Sequence, residues 1–404
     1  MRRPLLVIAL AVVACGPPPP CTGEGCASGG GSTAGGSTAG GSTAGGSTAG
    51  GSAAGGSAAG GSTAGGSTAG GSTAGGSAAG GSTAGGSAAG GSTAGGSATT
   101  LSMRYPGDVG IAGDPAVLFH SGFESGMAGW TRFTQDAARL SVITNAAQAN
   151  AGSRFLEARV TRTQLAANQY LSTNAQLDLS RRVPELYWRF YARVVGTSAK
   201  PHHWVRVAAG TAAFQSDGLA NTRPAGDQGF WFDVDLTGAD TFNFYTYWHA
   251  MRSGRCNDGS ATPGCAGDQG TTYYYGNNFT FVSQPPITRD AWFCLEVRAR
   301  ANTVGRSDGE LTLWKDGALV SDYRPGTPRG RWLRDNFYSW GPYFQDVQAF
   351  EGFDFRTSGD VLLKRVTLDA YYERGTLPAA APEAQVIHYD DVVVATSRIG
   401  CRVP

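Results

Sequence analysis

The residues Ala291 to Val320, AWFCLEVRARANTVGRSDGELTLWKDGALV, leave little choice of structure. Two runs alternate with period two and turn chemistry separates them, the pattern of antiparallel strands. In the first run Phe293, Leu295, Val297 and Ala299 share one face, while Trp292, Glu296, Arg298 and Arg300 share the other. After 302–309, which holds a Ser-Asp-Gly turn signal, Leu311 and Leu313 continue the apolar face and Thr312 and Trp314 the polar one. Asp316-Gly317 turns the chain again and Ala318 to Val320 returns as a third strand. Three antiparallel strands with one apolar face demand a second layer over it, so a two-sheet sandwich is predicted. The aromatic and arginine-rich opposite face reads as a binding surface.

The rest of the folded part repeats this writing. Val117 to Phe119, Phe155 to Thr161, His202 to Val207, Gly229 to Leu236 and Val386 to Ala395 read as strands, the last closing the fold. From Leu186 to Val195, Leu186, Trp188, Phe190 and Ala192 face one way and Tyr187, Arg189, Tyr191 and Arg193 the other. From Thr241 to Met251, Asn243, Tyr245, Tyr247 and His249 fall on one side, about 7 Å apart, a row of hydrogen-bonding groups. The loop 254–276, with Tyr273, Tyr274 and Tyr275, and the aromatic segment 332–355 read as walls over a polar face. No long stretch has helical periodicity, so residues 101–404 are expected to be all-β, two packed sheets.

The front of the chain is different in kind. Arg2-Arg3, the apolar run Leu5 to Val13 and small residues before Cys15 have the parts of a secretory signal, too short to span a membrane. Val12-Val13-Ala14-Cys15 resembles the lipobox of bacterial lipoproteins, which implies a signal over 1–15, a lipidated Cys15 and attachment to a membrane through acyl chains alone. An exported, anchored lipoprotein of the outer membrane or cell surface is expected on that resemblance, with simple cleavage and secretion as the alternative. A proline collar, Pro17 to Pro20, then leads into GSTAG and GSAAG repeats, and residues 16–100 form a tether with no side chain able to build a core. A Gly-rich coil of about 70 residues reaches roughly 45 to 50 Å on average.

Apart from Cys15, six cysteines remain, and an exported chain makes disulfides the default. Cys21–Cys26, Cys256–Cys265 and Cys294–Cys401 are the expected pairs. Zinc fails on spacing, because no paired C-x-x-C occurs and no histidine lies near the cysteine pairs in sequence.

Three spacings carry a family likeness. These are W-x-C-x-E-x-R at Trp292 to Arg298, S-D-G-E-x-x-x-W-x-D-G at Ser307 to Gly317, and Asp390-Asp391-Val-Val-Val. With Phe123-Glu124 and Trp130, they resemble the concanavalin A-like jelly rolls of the LamG and polysaccharide lyase-like kind, over roughly Ala116 to Cys401. The resemblance implies a jelly-roll β-sandwich that handles polysaccharide.

The chemistry expected follows from the polar faces. Sugar rings present apolar faces edged with hydroxyls, and flat aromatics with planar hydrogen-bonding groups suit them. Arg189, Tyr191, Asn243, Arg298, Arg300 and Trp314 are the expected binding residues, on one concave sheet, and their guanidinium groups point to an acidic glycan. Cleavage by β-elimination is the alternative. It needs a group to neutralise a uronate carboxylate, a base and an acid, for which Asn243, Arg298 and Arg300, then His249 or Tyr247, then Tyr245, are candidates. A structural or adhesive role with protein partners is a further alternative. A net charge of +1 with 16% charged residues gives no case for nucleic acid. Paired-carboxylate hydrolysis lacks its E-x-D-x-E strand and a serine triad lacks its G-x-S-x-G elbow, while His120 and His388 read as structural. No cofactor or catalytic metal is expected; a structural calcium on Asp233, Asp235 and Asp240, or on Asp258 and Asp268, is the one candidate, without EF-hand spacing. The sequence leaves oligomeric state open.

Overall fold

The computed structural model describes residues 99–217, 219–251, 274–279, 284–332, 344–349 and 352–404, of which 328–332 and 344–349 are described by their backbone alone. Cys15, the tether to residue 98, the pairs Cys21–Cys26 and Cys256–Cys265, and Asp258, Asp268 and Tyr273 lie outside the described residues.

In chain order the described strands are β1 (Val117–Ser121), β2 (Arg132–Phe133), β3 (Leu140–Thr144), β4 (Arg154–Thr161), β5 (Tyr170–Val183), β6 (Glu185–Val194), β7 (Val205–Gly210) and β8 (Gly229–Leu236). They continue as β9 (Phe242–Tyr247), β10 (Asn277–Phe279), β11 (Phe293–Arg300), β12 (Glu310–Lys315), β13 (Ala318–Tyr323), β14 (Pro328–Trp332), β15 (Phe344–Ala349), β16 (Leu362–Glu373) and β17 (Ala384–Ala395). Two large antiparallel sheets result, and β14 and β15 pair separately as a two-stranded sheet. The first runs β13-β12-β11-β6-β17-β4-β3, with β1 beside the second half of β17; the second runs β10-β9-β8-β7-β16-β5-β2. Between them lies the core, in which Trp188 and Phe190 meet at 4.7 Å. Trp204 satisfies its buried indole N–H on the Tyr389 hydroxyl at 2.6 Å, and that hydroxyl donates to the Asp369 carbonyl. This is the all-β, two-sheet sandwich that the alternation predicts and the jelly roll that the resemblance implies.

The strands at 291–320 pair antiparallel with the expected faces, Val297 opposite Leu313 and Leu311 opposite Tyr323, with a bulge after Leu313. Two placements differ from the reading above. The last strand does not close the fold; β17 is central, buried along nearly its whole length between β6 and β4. The second sheet continues beyond β7 with the long pair β16 and β5, which the sequence reading passed over although Ala175, Leu177, Val366, Leu368 and Ala370 alternate into the core.

The outer face of the first sheet is not a free surface. Residues 99–114 and the C-terminal segment cross it, joined by Leu101 N–H to Arg398 O and Ser102 N–H to Ile399 O. Glu296, only 1% exposed, accepts the Ile399 and Gly400 amides at 2.6 and 3.0 Å. Cys294 is disulfide-bonded to Cys401, fixing the chain's end on β11. Arg189 is fully buried in a two-point ion pair with Asp108, at 3.1 and 2.5 Å, and also donates to Asp391 O. A charge there without its partner would be very costly, so this pair anchors the covering segment to the sheet.

Candidate functional site

The outer face of the second sheet is built differently. Period-two alternation turns Asn243, Tyr245 and Tyr247 of β9 to the face opposite the inter-sheet core, and its neighbours do the same with Trp231, Asp233 and Asp235, then Arg206, then Arg365, Thr367 and Asp369, then Asn174, Gln176 and Asp178; of these Trp231, Asp233, Tyr247 and Thr367 are themselves buried, at 4% exposure or less. Register aligns these residues into rungs. One rung crosses all seven strands as Asn278, Tyr245, Asp233, Arg206, Thr367, Gln176 and Arg132, every member polar. At about 4.8 Å between strands it is roughly 29 Å long. The next rung carries Tyr247, Trp231, Ala208, Arg365 and Asp178, with Trp231 and Tyr247 stacked at 4.3 Å.

At one side of the long rung is a histidine cluster. The chain enters β7 through His202 and His203, and His203 bridges to Tyr371 of β16. The His203 ring lies 4.6 Å from the Tyr245 ring and stacks at 5.8 Å on Tyr371. Its Nδ1 is 3.2 Å from Asp235 Oδ2, while Asp235 Oδ1 accepts the Trp204 amide. With Nδ1–H given to Asp235, Nε2 is the nitrogen left for other chemistry. Burial pushes the His203 pKa down, but Asp235 and Asp233 outweigh it and hold it above the usual histidine value. His202 is driven to about 3, by burial first and the adjacent His203 second. The Tyr245 and Tyr247 hydroxyls are 3.3 Å apart. Gly276 lies so close over Tyr245 that a Cβ there would be 2.5 Å from the ring.

Beside this cluster Arg206 grips Asp233 at two points, 2.6 and 3.0 Å. Burial works against the guanidinium charge, and Asp233 more than compensates, so Arg206 stays protonated. Asp369, bonded by the Ser172 hydroxyl, is pushed up to about 7, chiefly by burial.

His203, Asp233 and Asp235 bring ligand atoms within 4.8 Å of one another. They do not suit calcium: both Asp233 oxygens are taken by a guanidinium, both Asp235 oxygens accept hydrogen bonds, and imidazole is a poor partner for a hard cation. Asp240, the third candidate ligand, instead pairs with Arg289 at 2.7 Å.

The structure thus divides the expected site. Asn243, Tyr245 and Tyr247 are together on the second sheet. His249 is not with them, because β9 ends at Tyr247 and alternation ends with it; its ring packs by Gly226, with Nε2 3.6 Å from Asp354. Arg189, Tyr191, Arg298, Arg300 and Trp314 lie on the first sheet, on the opposite side of the sandwich. There Arg298 pairs with Glu185 and Glu310 at 2.7 and 2.5 Å, Arg300 with Glu310 at 2.8 Å, and Arg398 covers Trp314 at 4.5 Å. Tyr191 accepts the Arg402 amide. These side chains hold the first sheet to itself and to the chain's end. The sequence reading did not single out His203, Arg206, Gln176, Thr367 or Arg132, and it named Asp235 only as a calcium ligand; the alternation of Asn174, Gln176 and Asp178 against Ala175 and Leu177 was the signal available for β5.

A cavity of about 450 Å³ lies on the first sheet, lined by Asp108, His120, Glu124, Asp391 and Arg402. Its acids are engaged: Asp108 by Arg189, Glu124 by the Ser153 and Arg154 amides, Asp391 by Asn150. His388 shares a 3.0 Å contact with Glu157.

No family model matches the sequence, and no curated protein matches it. Among solved structures, the chain is similar to alginate lyase vAL-1 from Chlorella virus, with 13% identity over 69% of this chain and 99% of that one and a TM-score of 0.44. It is similar to the endo-β-1,4-glucuronan lyase of the fungus Trichoderma reesei, with 11% identity over 67% and 92% and a TM-score of 0.40. It is also similar to alginate lyase Aly36B, with 14% identity over 72% and 99% and a TM-score of 0.40.

Proposed function

We propose that this protein binds a polysaccharide, an acidic one, along the outer face of its second sheet. The observation that carries this reading is the polar rung from Asn278 to Arg132, in which Tyr245, Arg206, Gln176 and Arg132 keep exposure, with the part-exposed His203–Tyr371 stack beside it. Aromatic faces meet sugar faces, and the amides, carboxylates and guanidinium groups meet ring hydroxyls and uronate carboxylates. A purified domain should be retarded in gels cast with polyuronates; a domain retarded by no glycan would sink the reading.

A second reading, β-elimination on the same face, is favoured by the approach of His203 to Tyr245. In that reaction His203 Nε2 takes the proton α to the uronate carboxylate. The electron pair forms a double bond as the glycosidic C–O bond breaks, and the Tyr245 hydroxyl protonates the departing oxygen. His203 takes the role the sequence suggested for His249. Tyr247 supports the Tyr245 hydroxyl, and Asn243 and the part-protonated Asp369 offer hydrogen bonds to the carboxylate. The new double bond absorbs in the near ultraviolet, so a rise in absorbance on polyuronate separates lyase from binder.

The lipobox-like Val12 to Cys15 supports a further part of the proposal, that the domain is exported and carried on an acylated Cys15 at the end of its tether. Metabolic labelling with a fatty acid should mark the wild type and leave Cys15→Ala unlabelled.

A further inference from the structure

The guanidinium groups on the second sheet pose a problem for an acidic ligand, since each already has a carboxylate or amide partner. Arg132 donates to Gln176 Oε1 at 3.1 and 2.5 Å, Arg206 holds Asp233 at two points, and Arg365 holds Asp178 at 2.6 Å. These three arginines, from β2, β7 and β16, also converge on one further group. Asp217, in the segment between β7 and β8, has Oδ1 3.6 Å from Arg206 and Oδ2 3.7 Å from both Arg132 and Arg365.

That carboxylate is unlike the others. It accepts no hydrogen bond from the described residues, its three ion pairs are all longer than hydrogen bonds, and its side chain is 50% exposed. Asp233 and Asp178, by contrast, are bonded at 2.6 Å. The segment carrying it is anchored upstream, where Lys364 donates to the Thr211, Ala212 and Phe214 carbonyls, and Asp217 lies beyond that anchor.

We infer that Arg132, Arg206 and Arg365 form the subsite for the oxyanion group of an acidic glycan, a carboxylate or a sulfate ester, and that Asp217 stands in for that group in the free protein. The inference rests on the polysaccharide reading of this face and names its acidic subsite. The tight partners keep the three guanidiniums in place whether or not Asp217 is present. Three positive charges against Asp178, Asp233 and Asp217 balance (3 − 3 = 0), so release of Asp217 leaves one positive charge (3 − 2 = +1) for the ligand. Asp369, also facing Arg206, is pushed up to about 7, chiefly by burial, so near neutral pH it is part-ionised and offsets part of that charge, leaving the balance positive. The chain at 252–273, outside the described residues, is itself balanced, Arg252 and Arg255 against Asp258 and Asp268. A ligand oxyanion free to move in to hydrogen-bond distance gains charge-assisted bonds that Asp217 does not make. Displacing exposed, loose ion pairs costs little.

The test is calorimetric titration of the wild type, Asp217→Asn and Arg132→Gln with an oligouronate, a sulfated oligosaccharide and a neutral oligosaccharide. Asp217→Asn should bind the anionic probes about fivefold more tightly and the neutral one unchanged, the scale of an exposed ion pair. Arg132→Gln, at an exposed position on a short edge strand, should weaken the anionic probes by a similar factor. Which anionic probe responds tells carboxylate from sulfate. The inference is overturned if the neutral probe binds and Asp217→Asn leaves or weakens the anionic affinities; the polysaccharide reading then stands. Should none of the probes bind any of the three proteins, both fall together.

Discussion

The two outer faces of this sandwich are written in the same alphabet and do opposite work. On the first sheet Arg189, Tyr191, Glu296, Arg298 and Trp314 alternate with core residues, as Arg206, Asp233, Tyr245 and Arg365 do on the second. On the first face the N-terminal lead-in and the C-terminal segment lie across the strands, and the charges beneath are closed into pairs such as Arg189–Asp108. On the second face His203 and Asp217 keep contacts that a ligand can exchange. Period-two alternation says which side chains leave the core. What covers them is decided by segments far off in sequence, 81 residues for Asp108 on Arg189 and 211 for Arg402 on Tyr191.

This contrast can be broken by substitution. The largest effect is expected at Arg189→Met, which leaves Asp108 buried and unpaired and should cost about 3–5 kcal/mol in urea unfolding. Glycan retention per folded molecule should be unchanged; a stable Arg189→Met protein that has lost glycan would move the site to the first sheet. On the second sheet, His203→Gln should reduce any polyuronate cleavage by about a hundredfold or more with little change in unfolding midpoint.

The pH dependence sharpens the difference further. Asp390, on the first sheet, is pushed up to about 8 by burial and by the neighbouring Asp391. A carboxyl raised in the folded state favours folding below the unfolded value near 3.8, and that contribution is lost as pH rises to about 8. Asp390→Asn should therefore flatten the fall in stability between pH 4 and pH 8, read from thermal unfolding across that range; an unchanged slope would remove Asp390 as its source. The smallest effect belongs to Arg300→Gln. Its ion pairs are part-exposed, so a loss of about 0.2–1 kcal/mol and no change in glycan affinity are expected from unfolding and titration together.

Much of the fold was legible because alternation and turn chemistry are local. The strands at 291–320 and their apolar face were legible from Leu295, Val297, Leu311 and Leu313 alone. The central place of β17 was not legible, since strand order depends on pairing across more than 200 residues, as between His388 and Glu157. The site was half legible. Asn243, Tyr245 and Tyr247 could be read as one face because one strand carries them. His203, Arg206 and Gln176 join them only through lateral register, which no single stretch encodes. Arg298 and Arg300 were misplaced because a guanidinium on a polar face looks the same in sequence whether Glu310 or a ligand holds it.

The central claim is that the second sheet, and not the first, meets the polysaccharide, and paired titrations of Tyr245→Ala and Trp314→Ala with one oligouronate test it most directly. The account predicts that Tyr245→Ala loses about tenfold or more in affinity, roughly 1.4 kcal/mol, while Trp314→Ala binds as the wild type does. Loss at Trp314→Ala with full binding by Tyr245→Ala would contradict it.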